Sequence, residues 1–154
     1  MTVTPEEAQS LQHAAAKAAE NAYAPYSGFR VGAALLLDDG SIITGCNVEN
    51  SSYGLTLCAE RSAVVRGIAE KGPNIRIRGI AVDNLNGAPS SPCGACRQVL
   101  SEFALDDAMI FFPAVFSTEE RGIENRPFFD LLPFAFRPSD LKQEKVQSLK
   151  QGPA

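Results

Sequence analysis

The order of patterned segments predicts an α/β fold: one helix, a β-hairpin, then helix, strand, helix and strand in alternation. Three observations carry this. Apolar residues recur with a 3.6-residue period near the N-terminus, two β-rich runs flank an Asp-Gly turn, and two later apolar runs each follow a stretch that opens with helix-start residues.

Leu11, Ala14, Ala15, Ala18, Ala19 and Ala22 form one helical face, and Thr4-Pro5-Glu6-Glu7 supplies an N-cap, a proline for the first turn and two early acids. The pattern predicts a helix over residues 5–23, ended by Ala24-Pro25-Tyr26-Ser27-Gly28. His13 falls on its polar side, a surface position. Runs over 31–37 and 42–48, separated by Asp38-Asp39-Gly40-Ser41, read as a hairpin. Thr56 is placed to cap a helix to about residue 70, where Lys71-Gly72-Pro73 gives a basic end and a stop. Residues 77–82 read as a short buried strand, with Arg76 and Arg78 alternating beside Ile75 and Ile77 as an exposed face would. Ser91-Pro92 suits the opening of a third helix, to about residue 103, and 109–115 resembles another strand. Residues 116–127 mix charges with no clean period and read as an excursion or an edge strand. Seven of the nine phenylalanines lie at Phe111 or later, which points to a core or subunit contact at that end.

The chain has 154 residues, 45% of them hydrophobic and 21% charged, with a net charge of -4, four cysteines and no tryptophan. That predicts a single domain over 1–154, its core about 5–141 and a polar tail about 142–154. A chain this long buries roughly 70% of its unfolded surface and has no size-driven need for disulfides. No apolar run approaches the roughly 18 residues of a membrane span, and the N-terminus lacks signal-peptide regions, so a cytoplasmic protein with reduced thiols is expected. The acidic balance, without a Lys/Arg cluster, argues against a nucleic acid polymer as partner.

Three cysteines sit near expected helix starts: Cys58, and Cys93 and Cys96 in Pro92-Cys93-Gly94-Ala95-Cys96. Unpaired backbone N-H groups and the macrodipole favour thiolates there. Cys93 and Cys96 share a helical face, and the intervening helix and strand are the connection that returns one helix start beside another. Three converging soft thiolates point to Zn2+. Cys46 is either a small buried strand residue or a fourth ligand that closes the site. If the site is open, the metal makes its water a nucleophile near neutral pH, and Glu60 is placed to move the proton. Three thiolates overbalance a divalent ion, so a positive group is needed nearby, and Arg61 is the candidate by adjacency.

Cys58-Ala59-Glu60 followed by Pro92-Cys93-Gly94-Ala95-Cys96 matches the zinc-deaminase motif, with Cys in place of its first His. Ala24-Pro25-Tyr26-Ser27-Gly28-Phe29-Arg30-Val31-Gly32-Ala33-Ala34-Leu35, Thr44-Gly45-Cys46-Asn47-Val48-Glu49-Asn50, Cys96-Arg97-Gln98 and Leu131-Leu132-Pro133-Phe134-Ala135-Phe136 extend the match. In this order and spacing, over about residues 10–141, the sequence resembles the small homotetrameric cytidine deaminases. The resemblance implies a three-layer fold, a mixed five-stranded sheet with helices on both faces, and one Zn2+ per subunit on Cys58, Cys93 and Cys96. It implies hydrolytic deamination of cytidine and deoxycytidine in pyrimidine salvage, with hydroxide on zinc attacking C4 and Glu60 as the catalytic proton shuttle. By the same resemblance Asn47 and Glu49 hold the ribose, Phe29 lies against the pyrimidine, the backbone at Ala59 contacts the base, and Tyr53 and Phe136 belong to intersubunit contacts. An amide and a carboxylate at alternate strand positions suit two adjacent sugar hydroxyls, and the carboxylate disfavours a phosphate there. The segment from about 106 to 127 is longer and more charged than the family's strand-turn-strand.

Blander readings stand beside these. Cys93-x-x-Cys96 alone suits a redox pair, and four cysteines suit a closed structural zinc site that leaves Glu60 without a role. Glu60 alone is an ordinary first-turn acid, Asn47 and Glu49 are ordinary strand polars, and Phe29 is more often core. The nearest enzymatic alternative is a deaminase of a cytosine nucleoside antibiotic of the blasticidin type.

Overall fold

The computed structural model describes residues 3–115 and 121–141. In chain order it contains α1 (Pro5–Ala19), β1 (Val31–Leu37), β2 (Ile42–Cys46), α2 (Ala59–Lys71), β3 (Ile77–Asn84), α3 (Gly94–Ser101), β4 (Ala104–Val115) and β5 (Arg121–Pro127), with single 3-10 turns at Tyr53–Leu55, Phe128–Leu131 and Pro138–Asp140. The strands form one sheet in the order β2-β1-β3-β4-β5. Only β3 and β4 run parallel, and α3 makes the crossover between them. This is the mixed five-stranded sheet expected.

The run Val31-Gly-Ala-Ala-Leu-Leu-Leu lacks polar alternation because β1 is covered on both faces. Ala33, Leu35 and Leu37 pack with Ala59, Ala63 and Val64 of α2 and Leu100 of α3. Ala34 and Leu36 pack with Leu11 and Ala15 of α1. Three layers result, α1 on one face and α2 with α3 on the other.

Two glycines let the helices approach this closely. A Cβ on Gly32 would lie 2.0 Å from the Ala15 carbonyl oxygen, and one on Gly45 would lie 2.3 Å from the Ala63 nitrogen and 2.7 Å from the Ala59 oxygen. Gly45 therefore sets how near the start of α2 comes to the sheet.

Several sequence expectations change. Helix α1 ends at Ala19, not residue 23, because Tyr23 pairs with Val48 instead: its N-H donates to the Asn47 oxygen and its oxygen accepts from the Glu49 N-H. Thr4 is its N-cap as expected, and Glu7 goes further by completing a capping box with it. The hairpin's second strand stops at Cys46, so Asn47 and Glu49 lie beyond it, in a connection pinned by the Val48 bridges to Tyr23 and Leu57. β4 begins at Ala104, five residues earlier than the apolar run, and the charged excursion contributes the edge strand β5. Residues 116–120 and 142–154 lie outside the described residues.

Arg78 is not on an exposed face. It is only 5% exposed, its Nε donating to the Leu37 oxygen at 3.1 Å and its two terminal nitrogens to the two oxygens of Glu7. The register explains why: against β1 the pairing passes from Ile77 to Gly79 while β1 advances one residue, so Arg78 is the extra residue of a bulge and its side chain is re-aimed, and the pairing with β4 is irregular at the same place. Arg76 is exposed as expected.

Candidate active site

Neither Thr56 nor Ser91 caps a helix. The N-cap residues are the cysteines themselves, Cys58 for α2 and Cys93 for α3, both extended and neither making a side-chain capping bond. The Thr56 hydroxyl instead accepts from the Asn50 N-H, and the Ser91 hydroxyl from Arg97. Each sulfur is left free of its own helix yet beside its unpaired N-H groups. Cys96 lies one turn into α3 and is buried.

The Sγ atoms of Cys58, Cys93 and Cys96 all lie within 4.8 Å of one another. Ligands at the ~2.3 Å zinc-sulfur distance of a tetrahedral site stand about 3.8 Å apart, so this set suits that ion after small side-chain adjustments. Cys46 is not part of the cluster. It pairs with Gly32 across the hairpin and borders a separate groove with Ala18 and Asn21. The four-sulfur site is therefore not assembled.

Arg61 is where adjacency placed it. Its Nη2 lies 3.6 Å from Cys58 Sγ and donates to the Thr56 oxygen at 3.2 Å. A hydrogen bond from Cys96, then the guanidinium of Arg61, outweigh burial and hold the Cys58 thiol down to about 5. Cys96 moves the other way, because it keeps the proton shared with Cys58 and is itself buried beside Glu60. Metal binding requires the thiols of the cluster to give up their protons.

Glu60, the second residue of α2, is 4% exposed. Its Oε2 accepts from Cys96 Sγ at 3.5 Å. Burial, and then the negative charge on Cys58, push its carboxyl upward from the ordinary carboxylate value. A buried carboxyl with a raised pKa beside the cysteine cluster is suited to taking up and giving back a proton.

Above these groups lies a cavity of about 320 Å3, bordered by Phe29, Asn47, Glu49, Cys58, Ala59, Glu60 and Cys93, with Ser90 and Ser91. That is the small end of the ~300–1,000 Å3 range of small-molecule sites. A second cavity of about 380 Å3, shaped by Tyr26, Ser27, Glu49, Tyr53 and Thr56, shares three of its residues and extends the first.

The polar groups of the cavity are preset. Glu49 accepts from the backbone N-H groups of Tyr26 (2.9 Å) and Ser27 (3.2 Å) and from the Ser27 hydroxyl, which together hold its carboxyl below the usual range. The Asn47 carboxamide is buried; it accepts from the Val31 N-H at 2.9 Å and donates to the Phe29 oxygen at 2.8 Å. One lone pair and one N-H remain for a ligand. Ser90 lines the cavity with no signal in the sequence, where a serine among loop residues carries no distinguishing pattern, and Ser27 and Ser91 line it although the sequence marked them only as part of a motif and as a helix start.

Tyr53 and Phe136 are both exposed, and of the two only Tyr53 reaches a cavity, the second one. Tyr53 is 75% exposed and meets Tyr26 edge-on at 5.9 Å between ring centroids. Phe136 is 59% exposed, outside both cavities, and its carbonyl accepts from Gln98 Nε2 at 2.9 Å.

Residues 5–112 match the profile of the cytidine and deoxycytidylate deaminase zinc-binding region. The chain is 46% identical over 135 residues to a cytidine deaminase of Mycobacterium tuberculosis, covering 88% of this chain and 93% of that one. It is 42% identical to one from Sporosarcina psychrophila, over 85% and 92%. The crystal structure of cytidine deaminase from Burkholderia pseudomallei superposes with a TM-score of 0.72 at 43% identity, over 83% of this chain and 98% of that one. Sequence and fold agree over the same stretch that carries the cysteines, Glu60 and the cavity, and this chain is an enzyme of the cytidine and deoxycytidylate deaminase family.

Proposed function

We propose that the chain hydrolyses cytidine and deoxycytidine to uridine and deoxyuridine, releasing ammonia, with one Zn2+ per subunit held by Cys58, Cys93 and Cys96. The observation that carries this reading is the buried Glu60 carboxyl, 3.5 Å from a cluster sulfur, on the wall of a nucleoside-sized cavity. Zinc bound there supplies Lewis acidity that brings water toward ionisation at neutral pH.

Glu60 takes one proton from the water and delivers it to N3 of the ring as C4 is attacked, then takes the proton of the new C4 hydroxyl and passes it to the amino group as the C4-N4 bond breaks. Cytidine and water thereby become uridine and ammonia. Its raised pKa serves both directions, since it must accept and then give. Arg61 offsets the excess negative charge of three thiolates, the role its 3.6 Å approach to Cys58 supports. Phe29 lies against the pyrimidine, and the Ala59 backbone contacts the base. Asn47 and Glu49 hold the ribose through the hydrogen-bonding capacity that their backbone contacts leave over. Glu49, ionised, repels a 5′-phosphate less strongly than a direct contact would, yet still biases the site toward the free nucleoside.

The assembly is a homotetramer in which Phe136 reaches a neighbouring subunit's pocket and Tyr53 joins the subunit contact. The exposure of both rings, and of Phe134 beside Phe136, supports this. The setting is cytoplasmic pyrimidine salvage. Among the described residues no helix is long and apolar enough to cross a membrane.

The test incubates zinc-checked wild type and Glu60→Gln with cytidine, deoxycytidine, cytidine monophosphate and blasticidin S and measures ammonia. Wild type is expected to turn over the first two, and the variant to be at least about 10^2-fold slower. Turnover of blasticidin S alone selects the antibiotic deaminase. A wild type that holds zinc and is inactive on all four overturns the reading in favour of a structural zinc module. A monomer active at wild-type rate overturns the tetramer.

A further inference from the structure

Phe29 sits in a segment that belongs to no strand of the sheet, yet its backbone is held on both sides. On one side is the Asn47 carboxamide, bonded to the Phe29 oxygen and the Val31 N-H. On the other is Asn86, from the β3-α3 connection: its Oδ1 accepts from the Arg30 N-H at 2.9 Å and its Nδ2 donates to the Gly28 oxygen at 3.1 Å. Each amide bonds a carbonyl and the N-H two residues on, as a neighbouring strand would. Between them, two side chains replace two strands around Phe29.

Asn86 is itself fixed by Asn84, which is 4% exposed. Asn84 Oδ1 accepts from the Asn86 and Ala88 N-H groups at 3.0 and 3.2 Å, and its Nδ2 donates to the Ala88 oxygen and the Ser90 hydroxyl at 2.7 and 2.8 Å. All four of its hydrogen-bonding positions are used. The turn so folded leads directly to Ser90, Ser91 and Cys93, which border the cavity opposite Phe29 in sequence but beside it in space.

We propose that Asn86 is a positioning residue for nucleoside binding: it ties the Phe29 segment to the turn that carries Ser90 and Cys93 and so fixes the aromatic wall against which the base lies. This rests on the deaminase reading above. Asn86 touches no part of the cavity itself and is exposed, so it acts through Phe29 and contributes little to the core. A ring held at one distance binds ground and transition states alike, so its loosening raises KM and spares kcat.

The test measures steady-state cytidine deamination by zinc-loaded wild type, Asn86→Asp, Asn86→Ala, Phe29→Leu and Asn86→Ala/Phe29→Leu. Two neutral hydrogen bonds lost together predict a KM raised about tenfold in Asn86→Ala with kcat within about twofold. Asn86→Asp, which keeps the acceptor for Arg30 and loses the donor to Gly28, falls between. In the Phe29→Leu background the Asn86→Ala effect shrinks below about twofold, the non-additivity expected of residues that act together. Amide exchange at Arg30 quickens in Asn86→Ala irrespective of turnover. An unchanged KM in Asn86→Ala, equal losses in kcat and kcat/KM, or full additivity with Phe29→Leu overturns the inference while leaving the deaminase reading intact. A wild type that releases no ammonia from cytidine overturns that reading, and the inference with it.

Discussion

The cavity's two walls are held by different means. Cys58, Ala59, Glu60 and Cys93 stand at helix starts, where each side chain's place follows from the backbone of its own first turn. Phe29, Val31 and Asn47 belong to loop and strand end, where carboxamides from far along the chain do the holding: Asn47 is 18 residues from Phe29 and Asn86 58 from Gly28. Each half of the first wall is set by its own helix start, and packing of α2 against α3 joins the halves, whereas the second wall is tied across the fold throughout. The cysteines and Glu60 are concentrated on the first, and the second supplies an aromatic ring and a carboxamide.

The largest expected effect falls on the helix-start wall. Cys96→Ser removes a soft ligand from a site with no fourth sulfur in reach, so zinc content is expected to fall from about one per chain toward zero, and deaminase activity at least about 10^2-fold. Metal analysis of the purified variant checks it. Retention of stoichiometric zinc would mean that a ligand outside the cluster completes the site, and that this wall is less local than its motifs imply.

Gly45→Ala comes next, because it couples the walls. Its added Cβ would stand 2.3 Å from the Ala63 nitrogen, with backbone rather than a flexible side chain in the way, so α2 must move off the sheet. A loss of about 3 kcal/mol in a urea titration is expected, at the upper end of overpacking costs, with reduced zinc affinity as Cys58 and Glu60 shift with the helix. A variant with wild-type stability and zinc affinity would show that the start of α2 is not positioned by this contact.

The same division separates what was legible in the sequence from what was not. The three sulfurs, Glu60 and Arg61 come together: helix periodicity sets Cys58 with Glu60 and Arg61, and Cys93 with Cys96, while the return through α2 and β3 brings the two sets side by side. The caps were misplaced by about two residues for a physical reason: Thr56 and Ser91 are better caps than cysteine, but their hydroxyls are taken by Asn50 and Arg97. Nothing local marks Asn84 or Asn86, whose partners lie across the fold. Arg78 was misread because strand alternation assumes an unbroken ladder, and a bulge displaces it.

The smallest effect concerns that displaced arginine, and it tests whether a tertiary tie far from the cavity behaves like the Asn86 tie near it. Arg78 and the Thr4 cap hold the Glu7 carboxyl down to about 2 in the folded chain, against the ordinary 4.5 of a free glutamate. A depressed carboxylate stabilises the fold fully above its unfolded pKa, and that contribution is lost as pH falls from about 4.5 toward 2. Wild type is therefore expected to melt at a higher temperature than Glu7→Gln by an amount that is constant from pH 8 to 5 and shrinks toward zero by pH 2. Asp39, held down to about 2 chiefly by Ser41, loses its contribution in the same window in both proteins, so the difference between the two curves isolates Glu7. A difference that stayed flat down to pH 2 would assign the loss in Glu7→Gln to packing or capping rather than to charge, and would leave the guanidinium of Arg78 held by the Leu37 carbonyl.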